Sequence, residues 1–396
     1  MYFVEVFFWL ISGVLVLFYL AYYGLMFISA KKPVNVLKQR IFPKVSLIVP
    51  TYNEEKVIQR KLFNILELEY PKDALEVLVV DSGSVDNTLK LAKLVLESQN
   101  LISFRLLAQP KREGKASALN YCRPYCNADI IILTDADVLL KKDALAELVT
   151  AFADKSVGAV SGKIVILNAD QSTSTRSEKS YRDILDVIRI GESNLDSTPI
   201  FNGQFSAFRR NLIDDIKPNT IADDTEFSFR VREKGFRAIY ESQALAYECT
   251  PASFKSKNKQ KTRRGYGIIQ SLLWHRKMIF NPRYSKYGLV ILPSELFMHV
   301  VSPLLVLAII ALAVSNLILT PSFLLQFGLL VLVSLVFFSL IRFIPKFMGK
   351  NNCFNPFETG AMFLTSQFSL IFSIFSLILQ RKSYAWGKIE EVRAFN

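Results

Sequence analysis

The feature that most constrains this chain is a set of long apolar runs that carry almost no charge. The first covers residues 2–30 with Glu5 as its only charge, and three more follow at about 288–319, 323–344 and 360–379. Roughly 20 apolar residues in a helix span the hydrocarbon core of a bilayer. We therefore expect transmembrane helices at both ends of the chain, which accounts for a hydrophobic content of 51%.

The charges beside the first run predict its orientation. No basic residue precedes the run, whereas Lys31 and Lys32 follow it. Because Lys and Arg are enriched in cytoplasmic loops, this asymmetry puts the N-terminus outside and the residues after Lys31 in the cytoplasm. A cleaved signal peptide would begin with basic residues and have a shorter apolar stretch, so we do not expect one.

The topology of the C-terminal runs stays open. A turn at 320–322 is expected outside, and a basic loop at 342–350 is expected inside. Four spans would then put the C-terminus outside, yet the basic residues of the tail favour the inside. The run at 288–319 exceeds one span and contains Pro293 and Pro303. It could hold an interfacial helix or two short passes.

Between the apolar runs, the pattern is that of a soluble α/β domain. Short apolar strands are expected at 44–50, 75–80, 105–107 and 129–134, with helices at 54–68, 87–97 and 115–126. Strands that alternate with helices indicate a Rossmann-like, mostly parallel sheet with helices on both faces. Such sheets bind ligands at the carboxyl ends of their strands. The polar residues after the first, second and fourth strands are therefore the candidates.

The chain thus divides into five parts. We expect a transmembrane helix (1–30), the α/β domain (43–252), a basic interfacial segment (253–286), a C-terminal region of about three spans (287–380) and a tail (381–396). The formal net charge is +13. Because basic clusters lie beside apolar runs, we expect this positive charge to attract anionic lipid headgroups and phosphorylated substrates. We expect no nucleic-acid partner.

The fourth predicted strand ends in the strongest local motif. Asp135 and Asp137 stand one residue apart directly after it, so both can approach one divalent cation. Carboxylate oxygens suit Mg²⁺ or Mn²⁺, and such ions bind diphosphates. A solvated turn at the end of a strand is the alternative.

The first two strands are followed by loops that suit a nucleoside. After the first strand, Tyr52 can cover a base, while Thr51 or Asn53 can cap the next helix, which includes Glu54. After the second, Asp81 can accept hydrogen bonds from a base or a ribose. Each loop alone is weak evidence, because helix capping uses the same residue types.

Two further segments combine charge with a helix. Lys115 follows a glycine at a predicted helix start, where it could meet a phosphate or be an ordinary surface lysine. Asp223 and Asp224 open another helix, where the dipole favours acids. Such a position could also hold a general base, because adjacent carboxylates raise each other's pKa.

The basic segment contains guanidinium groups that can bind diphosphate oxygens. Its motif contains Gln260, Arg263 and Arg264. Arginine binds diphosphates through bidentate hydrogen bonds. Attraction to the membrane surface alone is the alternative reading.

Taken in order over residues 43–274, these motifs resemble glycosyltransferase family 2, the inverting transferases of GT-A fold. They most resemble its membrane-integrated branch, which includes cellulose-synthase-like and hyaluronan-synthase-like enzymes and ceramide glucosyltransferases. The resemblance implies an α/β GT-A domain in the cytoplasm, flanked by transmembrane helices. It also implies transfer of a sugar from a nucleotide-diphosphate donor, by analogy a UDP-sugar, to a lipid or a growing glycan.

The resemblance also implies roles for single residues. Asp81 and the loop from Thr51 to Glu54 would hold the nucleoside, and Asp135 and Asp137 would bind the metal and the diphosphate. Asp224 would be the general base. Gln260, Arg263 and Arg264 would lie at the membrane interface near the diphosphate, and residues 202–209 look like the acceptor-side loop.

The sequence departs from the family pattern at three positions. Ser82 stands where a second Asp is common, Asp223 replaces a usual Glu, and Arg264 stands where the family has a Trp. That Trp often stacks on the acceptor sugar, so its replacement bears on polymer acceptors.

Three rival classes differ in kind from this interpretation. The intact acid set argues against a sugar-nucleotide-binding membrane module without catalysis, and the few charges in the spans argue against a transporter. A nucleotidyltransferase would release pyrophosphate in place of nucleoside diphosphate.

Overall fold

The computed structural model describes residues 2–33, 35–319 and 356–379, together with positions 324, 328, 331, 332 and 336. The expected turn at 320–322, the basic loop at 342–350, the tail at 381–396 and most of the predicted span at 323–344 lie outside the described residues.

A single mixed sheet of eight strands forms the centre of the α/β domain. The strands are β1 (Val45–Thr51), β2 (Leu75–Asp81), β3 (Ser103–Ala108), β4 (Ile130–Thr134), β5 (Leu139–Leu140), β6 (Val157–Ile166), β7 (Phe205–Arg209) and β8 (Arg237–Glu248). Their order is β3-β2-β1-β4-β7-β6-β8-β5. The four predicted strands form the parallel half, and β7 pairs antiparallel with both β4 and β6. The predicted parallel strands in one sheet are confirmed.

Apolar residues that alternate along the strands build a core on each face of the sheet. Leu47 and Val49 of β1 pack with helices α2 (Ile58–Leu66), α3 (Thr88–Glu97) and α5 (Ala144–Val149). Ile48 of β1 faces the other side, where it packs with helices α4 (Lys115–Cys122) and α7 (Asp223–Glu233). Both faces are covered, as a parallel sheet requires.

Helix α2 begins later than the sequence pattern predicts, and neither Thr51 nor Asn53 caps it. It starts at Ile58 with Val57 at the N-cap position and no side-chain cap. The backbone N–H of Glu54 instead donates to Thr88 Oγ1 at 2.7 Å. This long-range bond holds residue 54 in the loop, so the helix starts one turn later.

Two longer helices join the α/β domain to the apolar helices. They are α6 (Thr173–Leu195) and the amphipathic α8 (Phe254–Trp274). Helix α1 (Tyr2–Ala30) packs on α6, where Ser29 Oγ donates to the carbonyl of Gly191 at 2.8 Å. Helix α11 (Pro356–Ile378) packs on α8. There Ser373 Oγ donates to the carbonyl of Thr262 at 2.8 Å.

Three helical stretches of the described residues are long and apolar enough to cross a membrane. They are Phe3–Ala30, Tyr287–Ile318 and Gly360–Ile378. The run predicted at 288–319 is one continuous helix and does not form two short passes. It contains α9 (Leu292–Leu296) and α10 (Ser302–Leu319), with π-helical turns at Tyr287–Ile291 and Phe297–Val301.

The two prolines explain these π-helical turns. A proline ring clashes with the carbonyl four residues earlier in an α-helix. For Pro293 and Pro303 those carbonyls belong to Leu289 and His299, which both lie in π-helical turns. The wider turn relieves the clash, so the helix continues past each proline.

Candidate active site

The loops after β1 and β2 meet at the carboxyl ends of these strands. The parallel register sets Thr51 beside Asp81, and Thr51 Oγ1 donates to Asp81 Oδ1 at 3.2 Å. The backbone N–H of Ser84 donates to Asp81 Oδ2 at 2.8 Å, and the Ser84 hydroxyl donates to Oδ1. The Asp81 side chain is buried, so its carboxylate is held in place by its own loop.

Asn53 ties the same two loops together. Its backbone has a positive φ of 53°, a conformation that asparagine tolerates better than most residues. Its N–H donates to Ser84 Oγ at 2.7 Å, and its side-chain Oδ1 accepts from the N–H of Val85 at 2.8 Å. The polar residues between the two strand ends are therefore preorganised.

Tyr52 has a partner that sequence reasoning missed. The guanidinium of Arg112 lies 3.9 Å from the centroid of the Tyr52 ring, and its Nη1 donates to the Tyr52 hydroxyl at 3.3 Å. Arg112 belongs to the loop after β3, the one parallel strand whose following residues were not considered as candidates. The position of this loop at the same sheet edge is the signal that could have identified it.

Lys115 joins three separate parts of the chain. Its ammonium lies 2.9 Å from Asp135 Oδ1, after β4, and 3.5 Å from Asp223 Oδ2, at the start of α7. It also donates to the carbonyl of Gly203 at 3.3 Å. Burial alone would lower the pKa of Lys115, but the charges of Asp135 and Asp223 outweigh it and raise that pKa. The lysine therefore stays a cation.

Asp223 and Asp224 are both buried in the first turn of α7. Burial, and secondly the charge of Asp223, raises the pKa of Asp224 to about 7. Burial also raises the pKa of Asp223, against the opposing effect of Lys115. The sequence prediction of a raised pKa rested on mutual repulsion, whereas burial is the larger cause.

Two details describe the immediate surroundings of this acid pair. Among the described residues, no hydrogen-bond partner is found for the buried Asp223 Oδ2, whose nearest cation is Lys115. A Cβ on Gly203 would lie 3.1 Å from Asp224 Cγ, so the glycine lets the backbone approach the carboxylate closely. Polar groups that are buried without partners usually meet a ligand or water.

A cavity of about 770 Å³, which we call the large cavity, lies over this pair. Predicted site residues that line it are Lys115, Asp135, Asp223, Asp224, Gln260, Arg263 and Arg264. Arg112 lines it too and connects it to the Tyr52 loop. Thr51, Tyr52, Glu54, Asp81 and Asp137 are not among the described residues that line it. The four aspartates for which the resemblance implies roles are therefore divided, because Asp135 and Asp224 line the cavity whereas Asp81 and Asp137 do not.

Asp137 belongs to the turn that follows β4. Its charge acts on Arg60, Lys61 and Glu248, which are not among the residues lining the large cavity. Lys61 is fully buried and donates to Thr134 Oγ1 at 2.6 Å and to the carbonyl of Val138 at 2.5 Å. This lysine bridges both ends of the turn that carries Asp135 and Asp137. The helical pattern of the sequence does not identify Lys61 as part of the site.

The carboxylate oxygens of this turn suit a divalent cation only together with oxygens from a bound ligand. The described residues contain no group of three or more His, Cys, Asp and Glu placed to hold a metal ion. Asp135 and Asp137 offer carboxylate oxygens from one short turn. Mg²⁺ is usually bound by one or two carboxylates with substrate phosphates and water. The two aspartates therefore fit an ion that arrives with a diphosphate.

Helix α8 forms the wall of the large cavity toward the apolar helices. Gln260, Arg263 and Arg264 reach the cavity from this helix. Arg264 also lines a second cavity of about 180 Å³, the small cavity, between α6, α8 and the apolar helices. Ile200 and Ile268 are the other residues shared by both cavities.

Several known proteins are similar to this chain in sequence or in fold. The family model described as Glycosyltransferase like family 2 matches residues 43–267. A probable glycosyltransferase of Bacillus subtilis, YdaM, is 32% identical over 231 residues, which are 57% of this chain and 55% of that protein. Poly-β-1,6-N-acetyl-D-glucosamine synthase of Staphylococcus aureus is 26% identical over 255 residues, which are 63% of this chain and 60% of that protein. The chain thus spans less than two thirds of the length of these relatives.

The similarity to one solved structure extends over nearly the whole chain. Mannosyltransferase PcManGT from Pyrobaculum calidifontis, solved in complex with GDP-Man and Mn²⁺, superposes with a TM-score of 0.73 and is 27% identical. The match covers 94% of this chain and 99% of that one. The matched domain takes up more than half of the chain and contains the acid pair and the first two thirds of α8, with Arg263 and Arg264. The chain therefore belongs to glycosyltransferase family 2.

Proposed function

We propose that this protein is a membrane-embedded, inverting glycosyltransferase. It transfers a sugar from a nucleoside-diphosphate donor to a hydroxyl group of a membrane lipid or a growing glycan, at the cytoplasmic face. The observation that carries the proposal is the large cavity, where Asp135, Asp223, Asp224 and Lys115 come together from three separate parts of the chain.

Asp224 is the general base of this proposal. A buried carboxyl with a pKa of about 7 can take a proton at neutral pH more readily than an ordinary aspartate. The acceptor oxygen loses its proton to Asp224 and forms a bond to the anomeric carbon. The bond between that carbon and the diphosphate breaks, and the nucleoside diphosphate leaves with its electron pair. One displacement of this kind inverts the anomeric centre.

The cationic residues stabilise the departing diphosphate. Asp135 and Asp137 would hold a Mg²⁺ or Mn²⁺ ion, which supplies positive charge to the diphosphate oxygens when it is bound. Arg263 and Arg264 reach the same cavity from α8, and guanidinium groups bind phosphate oxygens in pairs. Lys115 orients Asp135 and Asp223, and Asp223 Oδ2, which lies 3.5 Å from Lys115, can accept a hydrogen bond from a sugar hydroxyl.

The nucleoside lies at the neighbouring sheet edge. Asp81, Thr51 and Glu54 shape that edge, and Tyr52 with Arg112 offers a flat surface on which a base can stack. Uridine is the base that the family resemblance favours. Guanosine is the second candidate, because PcManGT was solved with GDP-Man and matches 94% of this chain.

A donor screen tests the proposal most broadly. Membranes that contain the protein receive radiolabelled UDP-glucose, UDP-N-acetylglucosamine or GDP-mannose with Mg²⁺ or Mn²⁺. We expect one donor to give a labelled product in the lipid or polymer fraction, together with an equal amount of nucleoside diphosphate. The size of the labelled product separates a single transfer to a lipid from the synthesis of a polysaccharide.

Two outcomes would contradict the proposal. Release of pyrophosphate in place of nucleoside diphosphate would indicate a nucleotidyltransferase. Binding of a donor without any product from all three donors, in membranes that support a known transferase, would indicate a non-catalytic sugar-nucleotide-binding protein. Membranes without the protein are the matched control for both readouts.

A further inference from the structure

Three cations line the small cavity, and in the described part of the chain none of them contacts a carboxylate directly. They are Arg189 of α6 and Lys261 and Arg264 of α8. Within the described part of the chain, no carboxylate oxygen lies within 4.0 Å of these three groups. Arg189 donates to Asn202 Oδ1 at 2.7 Å, and Lys261 donates to Ser366 Oγ at 3.3 Å. The hydrogen-bond partners of Arg189 and Lys261 are thus neutral.

The carboxylates of the same cavity are engaged elsewhere. Glu178 lies 3.3 Å from Arg182 and 3.4 Å from Lys257. Glu192 accepts hydrogen bonds from the hydroxyls of Tyr22 and Thr198, both at 2.6 Å. Glu295 pairs with His299 at 3.0 Å. Glu178 also attracts Lys261 and Arg264, but its single charge is shared among these two cations, Arg182 and Lys257, so positive charge stays in excess on the side of α8.

A buried cation that no carboxylate contacts is costly, and a bound anion would reduce that cost. Burial lowers the pKa of Lys261 to about 8, which shows how strongly the surroundings disfavour its charge. Arginine forks and a lysine are the side chains that proteins use to bind phosphate. The small cavity is therefore chemically complementary to a phosphate group.

The position of the cavity indicates what carries the phosphate. Besides the charged groups, apolar residues of α6 and the membrane helices line it, among them Ile188, Met298, Phe363 and Leu370. Its cationic wall includes Arg264, which also lines the large cavity with Asp224. Arg264 therefore connects the small cavity, with its apolar residues and cations, to the large cavity, which contains the general base Asp224.

Resting on the function proposed above, we propose that the small cavity binds the phosphate of a lipid acceptor. In this acceptor the phosphate stands between the hydrocarbon tail and the hydroxyl that receives the sugar. The tail lies against the membrane helices, the phosphate meets Arg189, Lys261 and Arg264, and the hydroxylated head passes Arg264 to reach Asp224. The acceptor class is thus a phospholipid or a lipid-phosphate-linked sugar.

Lipid binding by the purified full chain tests this subsite. The protein is held in dodecyl maltoside, a detergent without phosphate, and titrated with phosphatidylglycerol or with monoglucosyl diacylglycerol. We expect Lys261→Gln to weaken phosphatidylglycerol binding by about tenfold, the effect of one charge-assisted hydrogen bond. Binding of the neutral glycolipid should change by less than about twofold. Lys261→Arg keeps the charge and should restore phosphatidylglycerol binding.

Lys259→Gln is the matched control, because it removes the same charge from an exposed position of the same helix. An equal loss with Lys259→Gln, or an equal loss for both lipids with Lys261→Gln, would overturn the subsite. So would no loss with Lys261→Gln. Inorganic phosphate that binds as tightly as phosphatidylglycerol would identify a free-phosphate site and overturn the lipid assignment.

Donor binding on the same samples separates this inference from the proposed function. Lys261 does not line the large cavity, so its replacement should leave the affinity for the nucleotide sugar within about twofold. Transfer to a lipid without phosphate would leave the proposed function standing and contradict the subsite. Phosphate-dependent lipid binding in a protein that transfers no sugar would support the subsite and contradict the proposed function.

Discussion

At the scale of single residues, the account depends on the surroundings of Asp224. The carboxyl is buried next to a second carboxyl, and Gly203 brings backbone against it. Burial disfavours the charged form of an acid, which is why the pKa of Asp224 rises to about 7. A base with such a pKa is well matched to proton transfer near neutral pH.

This pKa predicts the pH profile of transfer. Only the deprotonated carboxylate can accept the proton, so the rate should rise about tenfold per pH unit well below pH 7 and level off above about pH 7. The measurement is kcat/KM for the acceptor between pH 5 and 8.5, at saturating donor. A rate that is flat across this range, or that levels off near pH 4–5 as for an ordinary aspartate, would contradict the assignment.

Part of the site could be predicted from the sequence because each motif follows a strand. Asp135, Lys115 and Asp224 are found in one cavity, as the carboxyl-end rule and the helix starts indicate. The same rule, applied to β3, could have identified the loop of Arg112 but not its contact with Tyr52, and it does not identify Lys61 at all. Arg112 acts by folding back over Tyr52, and Lys61 acts from a buried helix position across to another loop. Such long-range contacts leave no local pattern.

At the scale of elements, the close packing of α1 on α6 joins the first apolar helix to the α/β domain. Gly191 of α6 lies against the backbone of α1, where a Cβ would be 2.2 Å from the carbonyl oxygen of Met26. Ser29 and Asn194 add hydrogen bonds across the same contact. The apolar run predicted α1 itself, but only the structure shows that a glycine makes this contact possible.

Gly191→Ala should destabilise this contact. The added methyl group meets backbone and has no flexible neighbour to displace, so we expect a loss of about 1–3 kcal/mol, typical of overpacking. The measurement is the melting temperature of the purified protein in detergent, which should fall by several degrees. Gly24→Ala is the matched control, since a Cβ there has nothing within 4 Å and alanine favours the helix. Equal melting temperatures for the two variants would contradict the account of this contact.

The helix that follows residue 287 shows where sequence patterns stop at this scale. Pro293 and Pro303 indicated an interruption, and two short passes were one expectation. The chain instead widens two turns and remains one helix. Proline removes a hydrogen bond in either case, and the sequence does not reveal whether the backbone breaks or adjusts, because the packing of neighbouring helices decides it.

At the scale of the whole molecule, α8 separates two chemically different spaces. On one side, the large cavity contains the acids and faces the sheet, and on the other, the small cavity faces the apolar helices. Arg264, which by the resemblance stands at the position of a family Trp, lines both. The replacement of an aromatic side chain by a cation at this boundary favours an acceptor with an anionic group over one that offers only sugar rings.

The proton transfer to Asp224 is the central claim, and Asp224→Asn tests it most directly. The amide has the shape of the carboxylate but cannot act as a base, and it keeps the donor contacts of Asp135, Lys115 and the basic helix. Donor affinity by calorimetry and the single-turnover transfer rate are measured on the same samples, with the exposed Asp170→Asn as control. The account predicts donor affinity within about threefold of the wild type and transfer reduced by about a hundredfold or more. Transfer at a near-normal rate in Asp224→Asn would contradict it.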